Sequence, residues 1–222
     1  MPNRESVVLL HGLGRGTWSM VLLAQRLRRA GFDVHNLRYP ARPRSLEQAV
    51  HAVERQVAKR ELDRVEGIHW VGYSLGGLVA RACLASGQGP GPGRLVMIAP
   101  PNQGSEVVDV IGRSPLFRLF LGDVAAQLGT REGNLPASLD EVDVETGIVA
   151  GSRWINPIGG LLLGSEHDGS VTVDSTRLPG MSDHVVVPHS HTFIMNSGLV
   201  ARETVSFLRS GHFEATSSSA AA

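Results

Sequence analysis

Short uninterrupted apolar runs recur along the chain, and the segments between them carry apolar and charged residues at helical spacing. Strands buried on both faces of a sheet read as continuous apolar runs, and amphipathic segments between them supply the helices that cover it. SVVLL (6–10) predicts a first buried strand. TWSMVLLAQRLRRA (17–30) predicts a helix with Leu22, Leu23 and Leu27 on its apolar face, opposite Arg26, Arg28 and Arg29, and Gly31 ends it. DVHNLRYP (33–40) predicts a second strand, stopped by Pro40. Residues 45–61 predict a second helix, opened by Ser45 with Gln48 three residues on, the spacing of a capping box.

The rhythm continues with GIHWVGY (67–73) as a strand, LGGLVARACLAS (75–86) as a helix and RLVMIAP (94–100) as a strand, while GQGPGPG (87–93) reads as a surface loop. Residues 102–145 hold helical pieces, among them SPLFRLFLGDVAAQLG (114–129), without a strand pattern. GIVAG (147–151) and HVVVP (184–188) restore it, and 196–209 predicts a last amphipathic helix. About six strands alternating with helices predict an α/β fold: a mainly parallel sheet in a three-layer α/β/α sandwich, with a small helical cap over 102–145. The 222 residues suit one domain, 1–222.

Charge and composition narrow the function classes. Lys plus Arg and Asp plus Glu both number 21, so the formal net charge is zero and the electrostatic case for a nucleic-acid partner disappears. Apolar residues at 42% and charged residues at 19% fit an ordinary folded protein. The single cysteine, Cys83, can form no internal disulfide, in keeping with a reducing compartment. The apolar run Val7 to Leu10 is too short for a secretory signal, and no window approaches the roughly 18 apolar residues of a membrane span, so a cytoplasmic protein is expected.

The chemistry gathers around GYSLGG (72–77). A serine on a sharp turn between a strand and a helix is held in a strained backbone, with its hydroxyl exposed at the helix N-terminus, and glycines two before and two after avoid collisions there. Gly72, Ser74 and Gly76 meet that requirement, and Gly77 follows where the helix passes close to the strand. A serine hydroxyl needs a base. Of nine histidines, His35 and His69 fall in predicted strands, His51 on a polar helix face and His212 near the end, whereas His189 and His191 follow the last strand in PHSHTF. His191, deeper in that loop, is the preferred base. An H-x-H pair also suits a metal, but no further cluster with ligand spacing accompanies it. The carboxylate that orients the base should lie between GIVAG and HVVVP: Asp168 in SEHDGSVTV satisfies the order, with Asp174, Asp183 and Glu166 as alternatives. Two backbone N–H groups should hold the oxyanion, one from Leu75 and the other from Leu13 in HGLGRG (11–16), a loop that lacks the dinucleotide fingerprint and the Walker lysine. His11 is expected to brace that loop.

Together HGLG (11–14), GYSLGG (72–77), HDG (167–169) and SHTF (190–193) resemble the α/β-hydrolase superfamily, specifically its small bacterial esterases and lipases, over about residues 6 to 209. PPNQGSE (100–106) is similar to a segment of lipase-like members related to the GPI-inositol deacylases. The resemblance implies a minimal hydrolase that lacks the first hairpin, with Ser74 as nucleophile, Asp168 as acid, His191 as base and the Leu13 and Leu75 N–H groups as oxyanion hole. It implies cleavage of a small carboxylic ester without a cofactor or metal. Alternatives are a lipase or phospholipase acting on long-chain lipid esters, and a non-catalytic binding protein with this fold. Leu116, Phe117, Leu119, Phe120 and Leu121 form an apolar cluster that is either packed on the core or a lid touching acyl chains at a lipid interface, with GGLLLG (159–164) as the facing wall.

Overall fold

The computed structural model describes residues 4–65, 67–87, 92–112, 122–131, 133–155 and 163–215. Six strands, β1 (Ser6–Leu10), β2 (Asp33–Asn36), β3 (Ile68–Tyr73), β4 (Pro92–Ile98), β5 (Thr146–Gly151) and β6 (Asp183–Val187), form one sheet in the order β2-β1-β3-β4-β5-β6. Every neighbouring pair is parallel. The chain moves outward from β1 to β2 and then returns to pair β3 on β1's other side, which makes the C-terminal ends of β1 and β3 a topological switch point. Crevices in open α/β sheets form at such a point.

Among the described residues five helices accompany the sheet: α1 (Val21–Arg29), α2 (Leu46–Lys59), α3 (Leu75–Ala85), α4 (Glu106–Ile111) and α5 (Gly198–Ser210). Alternate strand residues divide the core in two. Val8, Leu10, Trp70 and Met97 pack with α2 and α3, while Val7, Leu9, Val71 and Val149 pack with α1 and α5. Those strand residues are fully or almost fully buried, which is why the strands read as unbroken apolar runs.

Local departures from the sequence reading have simple causes. The first predicted helix opens with a 3-10 turn at Thr17–Met20, and its apolar face is Leu23, Ala24 and Leu27; Leu22 is 46% exposed and points away from the sheet. The second strand ends at Asn36 rather than Pro40, because Leu37 and Tyr39 turn into the α2–α3 core. Ser45 caps α2 by accepting from the Gln48 N–H at 3.3 Å, but the Gln48 side chain reaches back to the Arg44 N–H at 2.8 Å, one residue beyond a regular capping box.

Within 102–145, α4 is followed by 3-10 turns at Asp123–Gln127 and Leu135–Ser138, and Val124, Leu128 and Leu135 are buried in the α2–α3 core. Arg81 of α3 ties this segment down by donating to the carbonyls of Leu139 and Asp140. The cluster at 116–121 and residues 159–162 of its suggested facing wall lie outside the described residues. Among the described residues no helix is long and apolar enough to cross a membrane.

Candidate active site

Ser74 sits between the end of β3 and the start of α3 with φ 53° and ψ −122°. The left-handed φ is costly for a residue with a Cβ, and the surrounding backbone enforces it: Ser74 N–H donates to the Ile98 carbonyl at 2.8 Å, and its own carbonyl accepts from Gly77 N–H at 2.9 Å. The flanking glycines are required by space. A Cβ on Gly72 would lie 2.4 Å from the Gly76 carbonyl oxygen, and one on Gly76 would lie 2.5 Å from the carbonyl oxygens of Leu10 and His11. The turn is thus wedged between β3's own helix and the loop after β1.

Asp168 and His191 converge on that serine from loops after β5 and β6. Asp168 is 2% exposed, and its Oδ1 accepts from the N–H groups of Ser170 and Val171, both at 2.9 Å. Its Oδ2 lies 2.7 Å from His191 Nδ1, and His191 Nε2 lies 3.1 Å from Ser74 Oγ. An ionised carboxylate can only accept, so Nδ1 carries the proton and donates to Asp168, which leaves Nε2 as the acceptor for the Ser74 hydroxyl. The His191 N–H also donates to the Asp168 carbonyl at 2.9 Å, so the two residues are joined twice. Gly151 at the end of β5 makes this possible, since a Cβ there would lie 2.7 Å from the Asp168 Cβ.

The other candidates are engaged elsewhere. Asp174 pairs with Arg177 at 3.6 Å, Asp183 accepts from the N–H groups of His184 and Phe213, and Glu166 is exposed. His11 is fully buried, hydrogen-bonds through Nδ1 to the Gly12 carbonyl at 2.9 Å and stacks on Tyr39 with ring centroids 4.1 Å apart. Burial lowers its pKa, so it stays neutral and braces the loop. Among the described residues no three His, Cys, Asp or Glu side chains gather as a metal would require.

Two contributors carried no sequence signal of their own. Tyr73 precedes Ser74, and its buried hydroxyl donates to the His191 carbonyl at 2.8 Å; burial raises its pKa, so it remains a donor. Ser105, inside the PPNQGSE stretch, donates from Oγ to the Ser170 carbonyl at 2.6 Å and so holds the turn that carries Asp168. Both act across the sheet edge, through contacts that only folding creates.

Ser74 and His191 open onto a cavity of about 270 Å³ whose walls include Leu13, Val107, Val108 and Leu128. Leu13 therefore lies on the wall beside Ser74, and Leu75 occupies the first turn of α3, where a helix supplies no acceptor for its own N–H. The arrangement offers a base-paired hydroxyl at a helix N-terminus, facing an apolar space.

Comparison with known proteins identifies the family and the fold. The model of the "Alpha/beta hydrolase family" matches residues 7–215. The mature lipase BlEst2 of Bacillus licheniformis superposes with a TM-score of 0.75 at 18% identity, covering 96% of this chain and 94% of that one. The phospholipase PlaB of Legionella pneumophila superposes with a TM-score of 0.68 at 15% identity, covering 97% of this chain but 62% of the larger enzyme. The thioesterase RedJ of Streptomyces coelicolor gives a TM-score of 0.56 at 16% identity, over 95% of this chain and 90% of that one. No curated protein matches the sequence. At these identities the likenesses concern the fold, and the family match over nearly the whole length settles the membership: the chain belongs to the alpha/beta hydrolase family.

Proposed function

We propose that this protein is a serine hydrolase that cleaves carboxylic esters of short- to medium-chain acids through an acyl-enzyme on Ser74. The observation that carries the reading is the unbroken line from Asp168 Oδ2 to His191 at 2.7 Å and on to Ser74 Oγ at 3.1 Å. His191 Nε2 takes the hydroxyl proton as Ser74 Oγ attacks the ester carbonyl carbon, and Asp168 stabilises the imidazolium that forms. The oxyanion is received by the N–H groups of Leu13 and Leu75, each donor of this kind being worth about 100- to 1,000-fold in rate. Collapse of the tetrahedral intermediate breaks the bond to the leaving alkoxide, which takes the proton from His191. A water then repeats the attack with His191 as base and releases the acid. The reaction requires no cofactor.

The modest apolar cavity favours a small acyl group. Long-chain lipid esters are the second reading, favoured by Phe193, 54% exposed two residues after His191, and by exposed Trp154, whose ring stacks on His167 beside Asp168. Initial rates on p-nitrophenyl esters from acetate to palmitate, below and above the concentration at which they aggregate, separate the two. A maximum at butyrate or hexanoate supports the first reading, and a rise at the interface supports the second. Ser74→Ala is expected to abolish turnover and labelling by a fluorophosphonate while leaving the fold intact; full activity in that variant overturns both.

A further inference from the structure

Arg15 lines two spaces: the cavity at Ser74 and a larger groove of about 1050 Å³ beside it. The groove's charged walls are all of one sign. Arg15 and Arg38 come from the segments after β1 and β2, Arg55 and Lys59 from α2, and no carboxylate lines it. In a chain of zero net charge this is a local concentration of four cations. Among the described residues none of the four is in an ion pair, although Arg64, Arg94 and Arg177 each have a carboxylate within 4.0 Å elsewhere on the molecule. Arg55 and Lys59 are four residues apart on one helix, a like-charge spacing that costs stability unless an anion sits between them. Trp18, 67% exposed at the groove, has the Arg15 guanidinium over its ring at 5.9 Å.

We propose that this groove binds phosphate carried on the leaving-group side of the ester. The inference rests on the hydrolase reading above for the identity of the two halves of the substrate. At Ser74 the apolar wall of Val107, Val108 and Leu128 takes the acyl chain, so the leaving group departs past Arg15 into the cationic space. Guanidinium groups match phosphate oxygens with paired donors, and several cations around one groove suit a multiply charged anion better than a single carboxylate. A leaving group of this chemistry has two sources, a glycerophosphate alcohol and a phosphorylated pantetheine thiol.

Matched substrate pairs test the proposal: monobutyrylglycerol against butyryl glycerol 3-phosphate, and S-butyryl pantetheine against S-butyryl pantetheine 4′-phosphate. Within at least one pair, kcat/KM of the wild-type protein at low salt should favour the phosphorylated member by about tenfold or more, the effect of one charge-assisted hydrogen bond. In the R55Q/K59Q double variant that ratio should fall to near one. Each ratio is taken within one protein, so general losses of activity cancel, and the pair that responds identifies the source. A wild-type ratio near one in both pairs, or a ratio unchanged in the double variant, overturns the proposal. If no member of either pair is hydrolysed, the p-nitrophenyl ester assay decides the hydrolase reading separately, and calorimetry of inorganic diphosphate binding to Ser74→Ala decides the groove. Binding that disappears when R55Q/K59Q is added upholds the anion site; absent or unaffected binding removes it.

Discussion

Ser74 stands in a backbone conformation that a side chain resists, and its glycine neighbours lack the side chains that would collide with the turn. Gly72→Ala must push a methyl group to 2.4 Å from main-chain atoms of Gly76 and Gly77, where nothing can rotate away. Overpacking of this kind costs about 1–3 kcal/mol, so a lowered Tm and a displaced Ser74 hydroxyl are expected together. Gly77→Ala is different, since its closest contact is the terminal methyl of Met97 at 3.1 Å, a flexible group. Thermal melts of the two variants side by side should show a large loss for the first and a small one for the second. Asp168→Asn keeps the shape of the side chain but removes the charge that the proposed mechanism sets against the His191 imidazolium; kcat should fall on the order of 10⁴-fold with little change in KM. These glycines and the serine were legible in GYSLGG because backbone sterics are local, whereas the choice of Asp168 over Asp174 or Asp183 depended on which loop reaches His191.

At the scale of elements, the site is a join between the ends of β3 and β6. Tyr73 closes it by donating to the His191 carbonyl. Tyr73→Phe should reduce kcat several-fold while KM stays near the wild-type value, with a stability loss of about 1 kcal/mol for the deleted hydrogen bond. A purely structural role would lower Tm without altering kcat of the protein that remains folded. Helix α1 provides a contrast between pattern and packing. Leu22 and Leu23 are equivalent in composition, yet Leu23 is fully buried and Leu22 is 46% exposed. Leu23→Ala should cost about 2–5 kcal/mol in urea titrations and Leu22→Ala under about 0.5 kcal/mol. Spacing predicted an apolar stripe, but its centre depends on the angle at which the helix lies on the sheet.

Across the whole molecule, buried and half-buried histidines set a dependence of stability on pH. Burial, assisted by the Arg177 charge, lowers the pKa of His184 from the 6.5 of an unfolded chain to about 4, and burial also lowers those of His11 and His69. The unfolded chain therefore binds more protons than the folded one as pH falls below 6.5, so stability is complete above that value and is lost progressively toward pH 4. Urea midpoints should decline through this window; a midpoint constant from pH 7 to 4.5 would contradict the linkage. The parallel α/β/α sheet, its six strands and their order of appearance along the chain were legible in the hydrophobic pattern, because strands covered on both faces leave few positions for polar residues. The strained turn at Ser74 was legible too, since such a turn demands particular small residues wherever it occurs. The pattern is blind to what meets across the sheet edge. The approach of Asp168 to His191 past Gly151, the Tyr73 and Ser105 bonds that hold those loops, and the gathering of Arg15, Arg38, Arg55 and Lys59 around one groove join residues far apart in the chain. Local periodicity sets which side of an element is buried, but only the crossing of the connections at the β1–β3 switch point decides which loops share a space.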